Sequence, residues 1–372
     1  MQRASGLREL SWFDCPGGGQ VHVEGNTAYI GHIEEGVGTS IVDVSDPTRP
    51  SLLARIPVAP GYHAHKVRTA NGLMLVNRES IVSSASGAGG LGIYDVSNPE
   101  KPREITHWRC DGTGVHRFTF DGRYAYISPE IEGYHGNIVM ILDLANPDRP
   151  KEVGRWWMPG QWIAGGEKPS WERRQHRCHH PIRHGNRLYV SYWHGGLVIL
   201  DIEDMTSPKL ISSFGWSPPY PWPSHSAVPV PFEIYGRRWL ICADEDVDRQ
   251  PAGAALQMAA FLRLVDVTDE RHPTPVSSFQ VDGLHGKSHP LMTGCHQPVE
   301  LIRGTEVPVA WFAQGVRIID IANPLALREV AYFVPKAPNP SIRVSSNDVF
   351  EDDRRLIFVV DRVQGMSILE RT

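Results

Sequence analysis

Six segments of the chain share one pattern: SIVDVSDPTRP (40–50), LGIYDVSNPEKP (91–102), VMILDLANPDRP (139–150), LVILDIEDMTSP (197–208), LRLVDVTDERHP (262–273) and VRIIDIANPLAL (316–327). Each begins as an apolar, β-branched run of period two, which is the pattern of a strand. Each continues into an Asp-rich turn, and in five of the six a proline stands at the repeated position. Asx side chains and proline fix such turns through local hydrogen bonds and a preset φ. A shortened seventh copy, MSILERT, ends the sequence. Successive copies are roughly 50 to 65 residues apart, the length of a four-stranded unit.

The other strands of each unit are legible too. A hairpin precedes the repeated strand in VEGNTAYIGH (23–32), TANGLMLVN (69–77), TFDGRYAYIS (119–128) and RHGNRLYVSY (183–192), with Gly-containing two-residue turns. An outer strand follows it in SLLARIPV (51–58), REITHWR (103–109) and KEVGRWW (151–157). The seventh unit lacks that outer strand, and LRELSWFDCPGG (7–18) reads like PREITHWRCDGTG (102–114). Residues 7–13 are therefore expected to pair with the C-terminal unit and cover its exposed edge. The predicted architecture is all-β: one seven-bladed β-propeller domain over residues 1–372, its ring closed by the N-terminal strand.

The runs IVDV, IYDV, ILDL, VILDI, LVDV and IIDI, followed by Ser or Asn and then Pro, resemble the LVIVD-repeat β-propeller family. The resemblance covers nearly the whole chain. It implies the propeller fold and no particular reaction, because propellers host unrelated activities.

A chain of 372 residues would otherwise divide into two or three domains. The 35 glycines and 30 prolines suit many turns rather than disorder. Net charge is −5 with signs mixed, so neither nucleic acid nor an anionic membrane is the expected partner. The sequence has no apolar run long enough to span a bilayer and no apolar segment near its start, which makes the cytoplasm the expected compartment. Five cysteines without a CxxC indicate neither a disulfide framework nor a zinc knuckle. No P-loop, no GxSxG and no GxGxxG in a βαβ setting occurs, which disfavours nucleotide binding and serine hydrolysis. DEDVD (244–248) is acidic but lacks EF-hand spacing.

Seventeen histidines are the compositional anomaly. At the start of the innermost strand, successive units read A-His65-K-V, V-His116-R-F, C-His179-H-P, S-His225-S-A, C-His296-Q-P and S-Asn347-D-V. Five consecutive units thus place a histidine at one structural position, with Asn347 and Gln20 expected to complete the ring. His22 and His180 fall out of register by strand parity. Five converging imidazoles repel one another if protonated, whereas a divalent metal binds them neutral. A polyhistidine metal site made from His65, His116, His179, His225 and His296 is expected, with iron first and zinc, manganese or copper as the other candidates. Cys178 and Cys295 precede two of these histidines and should face away from the channel.

The second strand of each unit returns to the same face. Its ends carry His32, Asn77, Arg78, Glu79, Glu130, His194, Asp244 and Glu245. Glu130 and Asp244 lie nearest the equivalent register and are the expected catalytic carboxylates, as base or as acceptors orienting the imidazoles. Long loops at 158–177, 215–224, 246–260, 281–294 and 334–345 emerge there as well. Trp162, Trp171 and Trp222, with His32, Asn77 and His194, are expected to wall a pocket for a small-molecule substrate.

The leading functional expectation is an oxidoreductase or oxygenase acting on a small aromatic or apolar substrate. The pattern is similar, at the level of fold, to propeller oxygenases that hold non-haem iron with several histidines and to copper-bearing selenium-binding-type propellers. A metal-dependent hydrolase or lyase using activated water is the alternative. A non-catalytic propeller scaffold is the third. The sequence leaves the oligomeric state open.

Overall fold

The period-two segments all form strands in the computed structural model, which describes residues 2–15, 17–81, 87, 89–171, 175–247, 259–284 and 290–372. Among these residues there is no α-helix, only a 3₁₀ turn at Ile163–Gly165, and no helix long and apolar enough to cross a membrane. The strands form six antiparallel sheets with a propeller-like arrangement. The first contains Gly18–Glu24, Thr27–His32, Thr39–Asp43 and Ser51–Ile56. In the second, Tyr62–His63 and Val67–Ala70 both pair with Leu73–Ser80, followed by Gly90–Asp95 and Arg103–Arg109. The third is Val115–Phe120, Tyr124–Pro129, Val139–Asp143 and Lys151–Trp156. An eight-stranded sheet follows, in which the group from His176 to Phe214 meets the group from Ser224 to Phe279 at the single pair Trp193–Ser224. The next sheet holds Gln297–Pro298, Glu306–Ala310, Val316–Asp320 and Arg328–Val334, with Arg3–Ser5 added to its outer edge. In the last, Leu7–Phe13 pairs with Gly365–Arg371 beside Ile357–Asp361 and Ser346–Glu351, as the sequence suggested.

Apolar side chains on the repeated strands pack between neighbouring groups. Tyr29 and Ile41 meet Val67 and Met74. Leu75 and Ile93 meet Phe118 and Ile127, and Tyr126 and Ile141 meet Leu188 and Val190. The circuit closes where Phe358 and Val360 of the last sheet meet Val21 and Ile30 of the first. Each fully buried side chain of this size contributes about 1.5–3 kcal/mol, so the contacts between groups hold the circuit together.

One irregularity recurs and sets up the site. The innermost strand carries one or more extra residues between Gly18 and Gln20, Val115 and Phe118, His176 and His180, Ser224 and Ser226, and Ser346 and Asp348. In the second sheet the same place is the break between His63 and Val67. A bulge re-aims the side chains at the extra residue. Two consecutive residues of each inner strand therefore turn toward the axis, and two stacked layers result.

Candidate metal centre

The upper layer consists of Gly19, His65, His116, His179, His225, His296 and Asn347. Its imidazoles follow one another in sequence order. Ring centroids are 5.1 Å apart for His65–His116, 4.8 Å for His116–His179, 4.6 Å for His179–His225 and 4.0 Å for His225–His296. Asn347 bonds the carbonyl of Gly19. Gly19 holds the place where a histidine is lacking because a Cβ there would lie 2.6 Å from the His65 carbonyl oxygen. Gln20, expected in this ring, belongs instead to the layer beneath, where its amide donates to Glu300 at 3.0 Å.

Hydrogen bonds fix several tautomers. His116 Nδ1 lies 2.9 Å from both oxygens of Glu79, an acceptor, and so carries the proton. His179 Nδ1 donates to the His225 carbonyl at 2.7 Å, and His296 Nδ1 to the Asn347 carbonyl at 2.5 Å. In the neutral rings each Nε2 is then a bare lone pair. The Nε2 atoms of His116 and His179 nonetheless face each other at 3.0 Å. His296 Nε2 likewise faces Glu245 Oε1 at 3.4 Å. His225 Nδ1 is 2.8 Å from Ser226 Oγ. Asn77 takes the Lys66 amide on its oxygen at 2.7 Å, so its nitrogen faces His65 Nδ1 at 3.1 Å and keeps that atom unprotonated.

Burial is the main electrostatic force on the ring. It holds His65, His179 and His225 well below the usual histidine range, lowers His116, and takes His296 to about 4. Burial opposes ionisation of the two nearby carboxyls too, yet hydrogen bonding and charge reverse the balance. His116 and His63 keep Glu79 ionised below the usual carboxylate range, and His296 with Arg362 and Arg117 lowers Glu245 to about 2.

The rim above the ring comes from the second strand of each group, two residues past the position facing the bulge. Asn77, Ser128 and Ala243 face the bulges, and Glu79, Glu130 and Glu245 follow. Trp193 and Phe312 hold the matching places with φ of 53° and 36°, a conformation that costs a side chain roughly 1–3 kcal/mol. It sets Trp193 at 4.8 Å from the His179 ring and stacks Phe312 on His296 at 4.3 Å. The Arg177 guanidinium covers Trp193 at 4.3 Å, and Arg362 donates to Asn347 Oδ1 at 2.7 Å.

The two carboxylates singled out from sequence stand differently. Glu130 has the expected register but bonds the hydroxyl and amide of Thr113. Asp244 is fully buried and held by Arg263 at 2.5 Å and Trp216 Nε1 at 2.8 Å. Its neighbour Glu245 occupies the equivalent register. His180, set aside on strand parity, faces the lower layer because the bulge breaks that parity, and it lies 3.2 Å from Arg117. His63 also went unread; it precedes the bulge and lies 2.9 Å from Glu79.

Of the pocket residues, Asn77 reaches the ring. His32 is buried against Ser40 Oγ at 2.8 Å, and His194 lies 3.1 Å from Ser217 Oγ. Trp171 stacks on His176 at 4.5 Å, and Trp162 contacts Trp157 at 5.7 Å. Trp222 is fully buried between Tyr220 and Phe261 in the core rather than on an open wall. Cys178 and Cys295 are buried thiols raised well above their usual range by burial. Most of loop 246–260, with Asp248, and residues 285–289 of loop 281–294 lie outside the described residues.

Comparison with solved structures gives similarity of fold alone. The computationally designed Ika8 protein aligns with a TM-score of 0.56 at 8% identity, covering 97% of this chain and 98% of that one. Sqt1 of Saccharomyces cerevisiae aligns with a TM-score of 0.60 at 8% identity, covering 95% and 83%. No curated protein matches the sequence. The LVIVD-repeat family model matches residues 18–57 and 184–215, two of the stretches that build the sheets described above, so the chain carries LVIVD-type repeats there.

Proposed function

We propose that the chain is a single-domain, seven-bladed propeller whose axial histidines hold a divalent transition metal, iron first, and that it is a metal-dependent oxidoreductase. The reading rests on the bare Nε2 atoms of His116 and His179 facing each other at 3.0 Å. Two neutral acceptors at that distance repel unless a proton or a cation lies between them. Burial works against the extra proton. Two imidazoles bound to one ion at bond lengths of about 2.0–2.1 Å, in adjacent positions, stand about 3 Å apart. His225 and His296 extend the same set, with Glu245 beside them.

When bound, the ion supplies Lewis-acid or one-electron chemistry. The chain does the rest. Glu79 holds the His116 tautomer, and the carbonyls of His225 and Asn347 hold those of His179 and His296. Trp193 and Phe312 offer aromatic faces beside the ring, which suits a small aromatic or apolar substrate and limits water there. Glu245, ionised at neutral pH, can accept a proton, which leaves the hydrolase or lyase reading as the alternative.

Metal analysis of protein purified without added metal tests this. Iron or copper bound to the chain, and lost in His116→Ala and His296→Ala, is the expected result. Zinc or manganese would turn the reading to water activation. No metal under any loading condition would leave a scaffold.

A further inference from the structure

We propose a second metal position beside the first, held by His63, His65 and Glu79. It rests on the metal-binding reading above and adds a separate ion to it. One nitrogen from each imidazole and one carboxylate oxygen lie within 4.8 Å of one another. His63 Nε2 is 2.9 Å and His65 Nδ1 is 3.8 Å from Glu79 Oε2. His179, His225 and Glu245 form the corresponding group around the first position.

Hydrogen-bond valence points to a cation here. His63 Nδ1 lies 3.3 Å from the Ile33 carbonyl while Nε2 faces the carboxylate, so both of its nitrogens face acceptors. A neutral imidazole has one N–H; with it on Glu79 at 2.9 Å, Nδ1 is left facing the Ile33 carbonyl, and a cation in place of that proton frees the N–H for Nδ1. His65 Nδ1 is kept unprotonated by Asn77. The Asn77 amide does not need His65 to be satisfied, because the Val115 and His116 carbonyls lie 2.9 and 3.4 Å away. His63 Nε2, His65 Nδ1 and Glu79 Oε2 therefore converge. A cation among them would displace the proton between His63 and Glu79 and the Asn77 amide from His65, so that all three atoms donate to one ion. Two imidazoles and one carboxylate are a donor set suited to iron(II), with further positions open to a ligand. Glu79, which also accepts from His116, couples the two positions, and paired ions can clamp both ends of a displaced group.

The test is titration of metal-stripped protein with Co2+, with bound metal counted by elemental analysis. The full chain is expected to saturate at two ions. His63→Ala is expected to bind one, as is His225→Ala, each keeping the other position. Should His63→Ala fail to fold, His63→Gln removes the imidazole and keeps a polar side chain. Saturation at one ion that His225→Ala abolishes and His63→Ala retains overturns the second position and leaves the first. Two ions in His63→Ala overturn it also. No bound ion in the full chain overturns both readings.

Discussion

The upper and lower layers of the axis are built from the same bulges but solve opposite problems. Above, five imidazoles of one kind stand together, and their Nδ1 atoms are occupied by carbonyls, hydroxyl, amide or carboxylate. Below, the residues differ from group to group: Gln20, Lys66, Arg117, His180, Ser226, Gln297 and Asp348. There Arg117 donates to Gln297 at 2.7 Å, Ser226 to Gln297 at 3.0 Å, and Arg68 and Gln20 both reach Glu300. Unlike groups pair in part, although Lys66 Nζ, Arg117 Nε and His180 Nε2 stay without a hydrogen-bond partner, whereas under the proposed function the like groups share a cation. Burial still marks the lower layer, lowering Lys66 and raising Asp348 to about 6.

The largest test of that contrast removes a partner from the lower layer. Arg68→Ala leaves the largely covered Glu300 carboxylate with less compensation, and a loss of about 3–5 kcal/mol is expected in chemical unfolding, with the metal count unchanged. A loss of bound metal without loss of stability would invert the assignment of roles. Next come the adjacent residues His179 and His180. His180→Ala is expected to cost about 1–3 kcal/mol by leaving buried polar groups unpaired, while metal binding persists. His179→Ala is expected to weaken metal binding while the stripped protein unfolds at a denaturant concentration closer to that of the parent. If the two variants behave alike, the layers are not distinct. The smallest effect is expected from Asn77→Ala, which bears on the proposed second position only through His65 Nδ1; a change of about 10–100-fold in affinity would be read by titration.

The repeat made the strands and the five histidines readable, since each histidine keeps its place while its surroundings change. The bulge was not readable, because it alters parity without altering composition. That is why His180 was set aside and why Asp244 was preferred to Glu245. Once the bulge is seen, a carboxylate two residues beyond the position facing it marks the rim, and Glu79, Glu130 and Glu245 all satisfy that. Geometry then separates them: Glu130 is taken by Thr113, while the other two meet histidines. His63 lies before the break in its inner strand, where the repeat offers no equivalent to compare. Trp222 sits in an aromatic-rich loop that sequence reads as exposed, yet the loop folds inward and its indole completes the core.

The cross-axis contacts to Glu300 carry a consequence for traffic. Arg68, Gln20 and His180 converge on it from three separate groups, and Arg117 spans to Gln297 beside them. Side chains from separate groups thus meet beneath the histidines and form a polar floor there. Under the proposed function, a molecule that reached the histidines over the rim would meet that floor, so its entry and departure would compete for the rim.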